Sequence, residues 1–237
     1  MNEYIHSRGA SLVAEVDGYE RAEFIRKTYN HLGGAILAFI ALEAVLLHLP
    51  FTPALVQLML GNRLSWLVVL LAFIGISYLA EQWANSAVSR EKQYWGLALY
   101  IVAEAIIFLP ILYIAAYFAK DPYVIAKAGV VTAGLFTGLT FIAFTSKKDF
   151  SFLGGILKLA AFVALGIVVC SILFSFTLGT IFAGVMVVFA GGCILYDTSN
   201  IIHRYRTDQY VAASLSLFAS VALMFWYILQ LFLSKDR

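Results

Sequence analysis

Seven runs of some twenty apolar residues, parted by short charged or glycine-containing breaks, set the pattern of the chain: 29–49, 65–84, 95–118, 123–145, 151–174, 177–199 and 210–233. A helix needs about 20 such residues to cross about 30 Å of hydrocarbon, so each run predicts one membrane-spanning helix. The breaks are short apart from the polar stretch Thr52–Arg63, which leaves no room for a soluble domain. The expected fold is an all-α, seven-transmembrane-helix bundle over residues 29–237, preceded by a cytoplasmic segment, residues 1–28. That segment has no apolar core of the signal-peptide kind, and the first run is read as an uncleaved anchor.

Composition agrees. Of 237 residues, 62% are hydrophobic and 13% charged, and the mean hydropathy is +0.88. A soluble domain is about 45–50% apolar and about 25% charged, so this chain takes the lipid bilayer as its solvent. A net charge of +2 gives no reason to expect a nucleic-acid partner. Cys170 and Cys193 lie in apolar runs without a metal-binding pattern and are read as small hydrophobes. No metal or cofactor is expected.

Basic residues set the orientation. Alternate breaks collect Arg8, Arg21, Arg26, Lys27, Arg90, Lys92, Lys147, Lys148, Arg204 and Arg206 on one side, against Arg63, Lys120, Lys235 and Arg237 on the other. The richer side is predicted to be cytoplasmic, which puts the N-terminus inside and the C-terminus outside. Residues 8–27 mix charges with Leu12, Val13, Val16, Tyr19 and Phe24. They read either as an interfacial amphipathic helix or as a partly ordered tail. Small residues at four-residue spacing (Gly129 and Ala133, Gly134 and Gly138, Gly179 and Ala183) suggest that the fourth and sixth spans lie at the centre.

A charge at mid-bilayer costs about 2.5–3.5 kcal/mol, so each one inside a span asks for a reason. Lys127 snorkels from a span end, and Glu81 lies close enough to the cytoplasmic interface to be solvated. Counted from loop anchors at about 1.5 Å per residue, Glu104, Lys158 and Asp197 lie roughly 18, 15 and 10 Å deep in the same half. Three readings of this trio stand: an ion pair of Lys158 with Asp197 or Glu104 that holds helices in register, an ion- or proton-sensing site, or side chains that do not meet. Glu43, in the outer half of the first span, is a candidate for an outer vestibule or an interhelical hydrogen bond. Enzymatic classes find no support: there is one Asp in the spans rather than a protease pair, no buried Ser/His couple, no HExxH helix, and no Lys in the last span for retinal.

Four stretches resemble the Bax inhibitor-1/YccA family, also called the transmembrane Bax inhibitor motif family. They are Phe24–Gly33 (FIRKTYNHLG), Tyr100–Pro110 (YIVAEAIIFLP), Thr132–Phe150 ending in TSKKDF, and Gly191–Ile202 (GGCILYDTSNII) with its YDT signature. The resemblance implies a bundle with a central sixth helix and a Ca²⁺ leak sensitive to pH, closed when two Asp of the sixth and seventh helices share a proton. It also implies, as an alternative, a non-conducting regulator of a membrane-bound AAA protease. Asp197 matches the first Asp, while Ser220 stands where the second is expected. The predicted ion pathway or gate is therefore Asp197, Glu104, Lys158, Ser220 and Glu43, serving Ca²⁺ or protons, and a two-Asp gate is in question.

Overall fold

A computed structural model of the chain describes residues 11–86, 89–146 and 148–235. Of the basic residues counted above, Arg8, Lys147 and Arg237 lie outside the described residues, as do positions 8–10 of the N-terminal segment. The described chain forms eight helices: α1 (Gly18–His48), α2 (Thr52–Leu60), α3 (Arg63–Ala84), α4 (Arg90–Phe118), α5 (Val124–Thr145), α6 (Leu153–Phe174), α7 (Gly179–His203) and α8 (Tyr210–Lys235). All but α2 are long and apolar enough to cross a membrane, and α6 is entered through a single 3₁₀ turn, Phe150–Phe152. The seven expected spans are all present, with ends shifted by a few residues.

The larger shift is at the start. α1 begins at Gly18, eleven residues before the first apolar run. Asp17 caps it by accepting a hydrogen bond from the Glu20 amide at 2.8 Å, which satisfies one of the free N–H groups of the first turn. At about 1.5 Å per residue, 31 residues reach about 46 Å, so the charged first turns project beyond the hydrocarbon. Neither reading of residues 8–27 holds as stated, because the chain before Asp17 is pinned. Val13 N donates to Tyr205 O at 2.9 Å and Thr207 N donates to Ser11 O at 3.0 Å, a short antiparallel bridge onto the turn between α7 and α8. Arg21 clamps it from below, its Nε donating to Val13 O at 3.1 Å and its Nη2 to Ala14 O at 2.7 Å. Val13 is fully buried.

Two partly exposed hydrogen bonds are together worth about 1–2 kcal/mol. Arg21→Ala is therefore expected to raise amide exchange at Val13 and Thr207 roughly tenfold while leaving α1 protected. Unchanged exchange at both amides would show that the clamp contributes nothing.

The order of burial differs from expectation. The most apolar stretch of α8 is 61% buried and that of α4 56%, against 28% for α7 and 17% for α5; none of that of α6 is buried. α8 and α4 are thus the centre, where Phe108 meets Phe39 (ring centroids 5.2 Å apart) and Trp226 (4.9 Å). The glycines of α5 do not bring helices together: a Cβ at Gly129, Gly134 or Gly138 would meet nothing within 4 Å. The close approach occurs at Gly96 of α4, where a Cβ would lie 2.5 Å from Ala84 N and 2.6 Å from Ala80 O of α3.

Candidate functional site

α7 and α8 form a hairpin whose facing sides bury Asp197 and Ser220. Ser220 Oγ donates to Asp197 Oδ2 at 2.6 Å, the pairing expected from counting back on either side of the turn. The charge-assisted bond fixes the carboxyl but supplies no counter-charge.

Glu104 of α4 is also buried, with the Tyr100 hydroxyl one turn away facing its carboxyl. Tyr100, itself buried, lies close enough to Glu104, Glu81 and Asp197 to feel the charge of all three. Glu81 of α3 is exposed, but its charge also reaches Asp197. Three carboxyls, from α3, α4 and α7, thus lie within electrostatic reach of one phenol. Among the described residues, no ion pair involves any of these acids.

Two expectations need correction. Lys158 is exposed and joins no ion pair with Asp197 or Glu104. α6 meets α7 through Gly154, whose missing Cβ would lie 2.8 Å from the Tyr196 ring, and through Leu157, whose methyl lies 3.1 Å from a Cβ built at Gly192. One residue further, about 100° round the helix, Lys158 turns away. Glu43 does not make the interhelical hydrogen bond: it is buried, and both carboxyl oxygens are without a partner among the described residues. By helix rise it lies about 21 Å along α1 from Tyr29, in the opposite half from Asp197.

Glu81, read from the sequence as a solvated end residue, is exposed as expected, yet its charge adds to the site. So do hydroxyls the sequence reading passed over. Tyr29, Thr140 and Thr198 converge from α1, α5 and α7 beside Asp197, too loosely for well-formed hydrogen bonds, so their buried oxygens stay unpaired. Periodicity does not reveal these hydroxyls, since tyrosine and threonine are ordinary in spans.

At the basic face, Asp149, Ser199 and His203 come together without forming a nucleophilic relay. Ser199 Oγ donates to Asp149 Oδ1 at 2.9 Å and accepts from Phe150 N at 2.9 Å, while His203 Nδ1 lies 2.9 Å from the Ser199 carbonyl oxygen. With its proton given to the carboxylate, the serine is a helix-start brace. The Ser151 amide and hydroxyl, aided by Ser199, hold the Asp149 carboxyl down at about 2. Among the described residues, no group of three or more His, Cys, Asp or Glu is arranged to hold a metal ion, the three acids included. Cys170 and Cys193 are free thiols, and Cys170 is exposed on α6.

Seven helices long and apolar enough to cross a membrane define a multi-pass membrane protein. The family model described as "Inhibitor of apoptosis-promoting Bax1" matches residues 21–237. The chain belongs to the Bax inhibitor-1 family. It is 34% identical to an uncharacterised protein of Pseudomonas aeruginosa over 169 residues, covering 70% of this chain and 72% of the relative. It is 34% identical to an uncharacterised protein of Pasteurella multocida over 206 residues (83% of each chain). With the Golgi anti-apoptotic protein of vaccinia virus (strain Lister) it shares 27% identity over 226 residues, 93% of this chain and 89% of the viral one.

Proposed function

We propose that the chain is a cation leak, passing Ca²⁺ under membrane or ion stress and modulated by pH, with Asp197 as its checkpoint and Glu81 and Glu104 as its flanking charges. The observation that carries this reading is the absence of any basic partner around Asp197 among the described residues, where the sequence alone suggested Lys158. A carboxylate removed from water is costly unless a positive charge compensates it. Where no Lys or Arg does so, the charge comes from a proton or from a passing cation, and competition between the two makes the flux depend on pH. The spread of the acids suits transit better than storage, since Ca²⁺ is held tightly only by six to eight converging oxygens. The basic face is then cytoplasmic, the membrane is the bacterial inner membrane, and no catalysis is assigned.

In this conformation Asp197 is buried beneath the turn that the N-terminal segment straps down, so conduction requires the hairpin to move. The test is Ca²⁺ entry into dye-loaded vesicles. Asp197→Asn is expected to lower the flux at least about fivefold, the weight of one charge at about 4 Å even in water. Equal flux in wild type, variant and empty vesicles removes the reading and leaves the non-conducting partner of a membrane-bound AAA protease, for which co-purification is the measurement.

A further inference from the structure

At the end of the bundle away from the acids, about 15 Å beyond Ser220 by helix rise, a cavity of about 630 Å³ opens between α3, α4, α6, α7 and α8. At about 30 Å³ per molecule it has room for about twenty waters, yet much of its wall is apolar: Trp66, Ile114, Phe118 and Trp226. Its polar groups are gathered with Lys120 and Thr180, whose Oγ1 bonds Ser234 Oγ at 3.3 Å. Gln230 also lines it, and its Oε1 is buried without a hydrogen-bond partner.

Charge decides what fits. Lys120 is the one charged residue in the lining and makes no ion pair among the described residues. The adjacent Asp121 is already engaged, by Lys127 Nζ at 2.5 Å and by the Tyr123 amide at 2.9 Å. Lys120, an exposed side chain without an ion-pair partner among the described residues, thus gives the cavity's lining a positive charge, which repels a cation and attracts an anion. An apolar wall asks for a chain, and an orphaned acceptor asks for a hydroxyl donor.

We propose that this cavity is a binding site for one anionic phospholipid with a hydroxylated headgroup, of the phosphatidylglycerol kind. Lys120 faces the phosphate, Gln230 Oε1 accepts from a headgroup hydroxyl, and an acyl chain lies along Ile114 and Phe118. The site is independent of whether ions pass at Asp197.

The test uses the full chain reconstituted in equimolar phosphatidylglycerol and phosphatidylcholine, extracted in mild detergent, with retained lipid counted by mass spectrometry. The expected ratio of retained phosphatidylglycerol to phosphatidylcholine is about five, the weight of one lysine beside an anionic headgroup, and Lys120→Gln brings it close to one. A second measurement localises the lipid. With Trp66, Trp83 and Trp95 changed to Phe, Trp226 fluorescence is quenched by chain-brominated phosphatidylglycerol at about fivefold lower mole fraction than by brominated phosphatidylcholine. Equal retention and equal quenching of the two lipids, insensitive to Lys120→Gln, would mean bulk lipid contact alone and would overturn the proposal; so would retention of phosphatidylglycerol without quenching of Trp226.

Discussion

Gly96→Leu is expected to leave no stably folded bundle. The Cβ at this position would lie 2.5 Å from Ala84 N and 2.6 Å from Ala80 O. Both are backbone atoms of a helix that cannot step aside without moving its length. Overpacking a rigid site costs about 1–3 kcal/mol when side chains can adjust, and here only backbone can. The same contact sets the register between α3 and α4, and with it the position of Glu81 relative to Tyr100 and Glu104. Gly96→Leu should therefore lose its monodisperse elution and thermal transition in detergent, whereas Gly134→Leu, with nothing within 4 Å of its Cβ, should keep both. Equal behaviour of the two variants would show that α3 and α4 do not meet as described.

Ser220→Asp is expected to turn a shallow pH dependence of flux into a steep one. Asp197 and Ser220 are joined at 2.6 Å, so the substitution sets two carboxyls side by side. Like charges 4 Å apart repel by about 4 kcal/mol at an effective dielectric constant of 20, or about three pH units. Two such groups share a proton and titrate as a pair in two separated steps. A serine hydroxyl donates a hydrogen bond but takes up no charge, so the natural chain lacks this coupling. Flux into vesicles measured from pH 5 to 9 should show a distinct step in Ser220→Asp that neither wild type nor Ser220→Ala shows. A variant profile that superimposes on wild type would mean that position 220 is not at the checkpoint.

The seven spans were legible because hydrocarbon thickness demands a fixed length of apolar chain, whatever the packing. What lay outside that rule was harder to read. α1 runs on from Gly18 through charged turns that need no apolar signal, and Asp17, its cap, is one acid among several. α2 is nine residues long, without a charge or a periodic stripe. Which helices occupy the centre left no trace in composition, since a lipid-facing side is as apolar as a buried one. Small residues at four-residue spacing pointed to α5, while the close contact rests on the single Gly96.

The site was legible in depth but not in azimuth. Counting from the turn placed Ser220 opposite Asp197, because a hairpin fixes both height and facing side. Lys158 has the right height and the wrong face, with its neighbour Leu157 taking the contact to α7. Glu81 is exposed, as its place near a helix end suggested, and the packing of α3 on α4 still brings its charge within reach of Asp197. Without Lys158 and with Glu81, the proposed site is a set of acids without an ion-pair partner among the described residues, which suits a cation better than a structural ion pair.

That cluster is probed most directly by thiol labelling at Asp197→Cys, with Cys170 and Cys193 changed to Ala. Glu81, whose charge reaches position 197, remains near the new thiol, and surroundings of one sign of charge raise the encounter rate of an oppositely charged reagent by about 10 to 10³. A small cationic methanethiosulfonate should therefore react at least about tenfold faster than an anionic one of the same size, with the advantage lost in Glu81→Gln/Glu104→Gln. Equal rates for the two reagents, or no reaction with either, would contradict a cation path at Asp197.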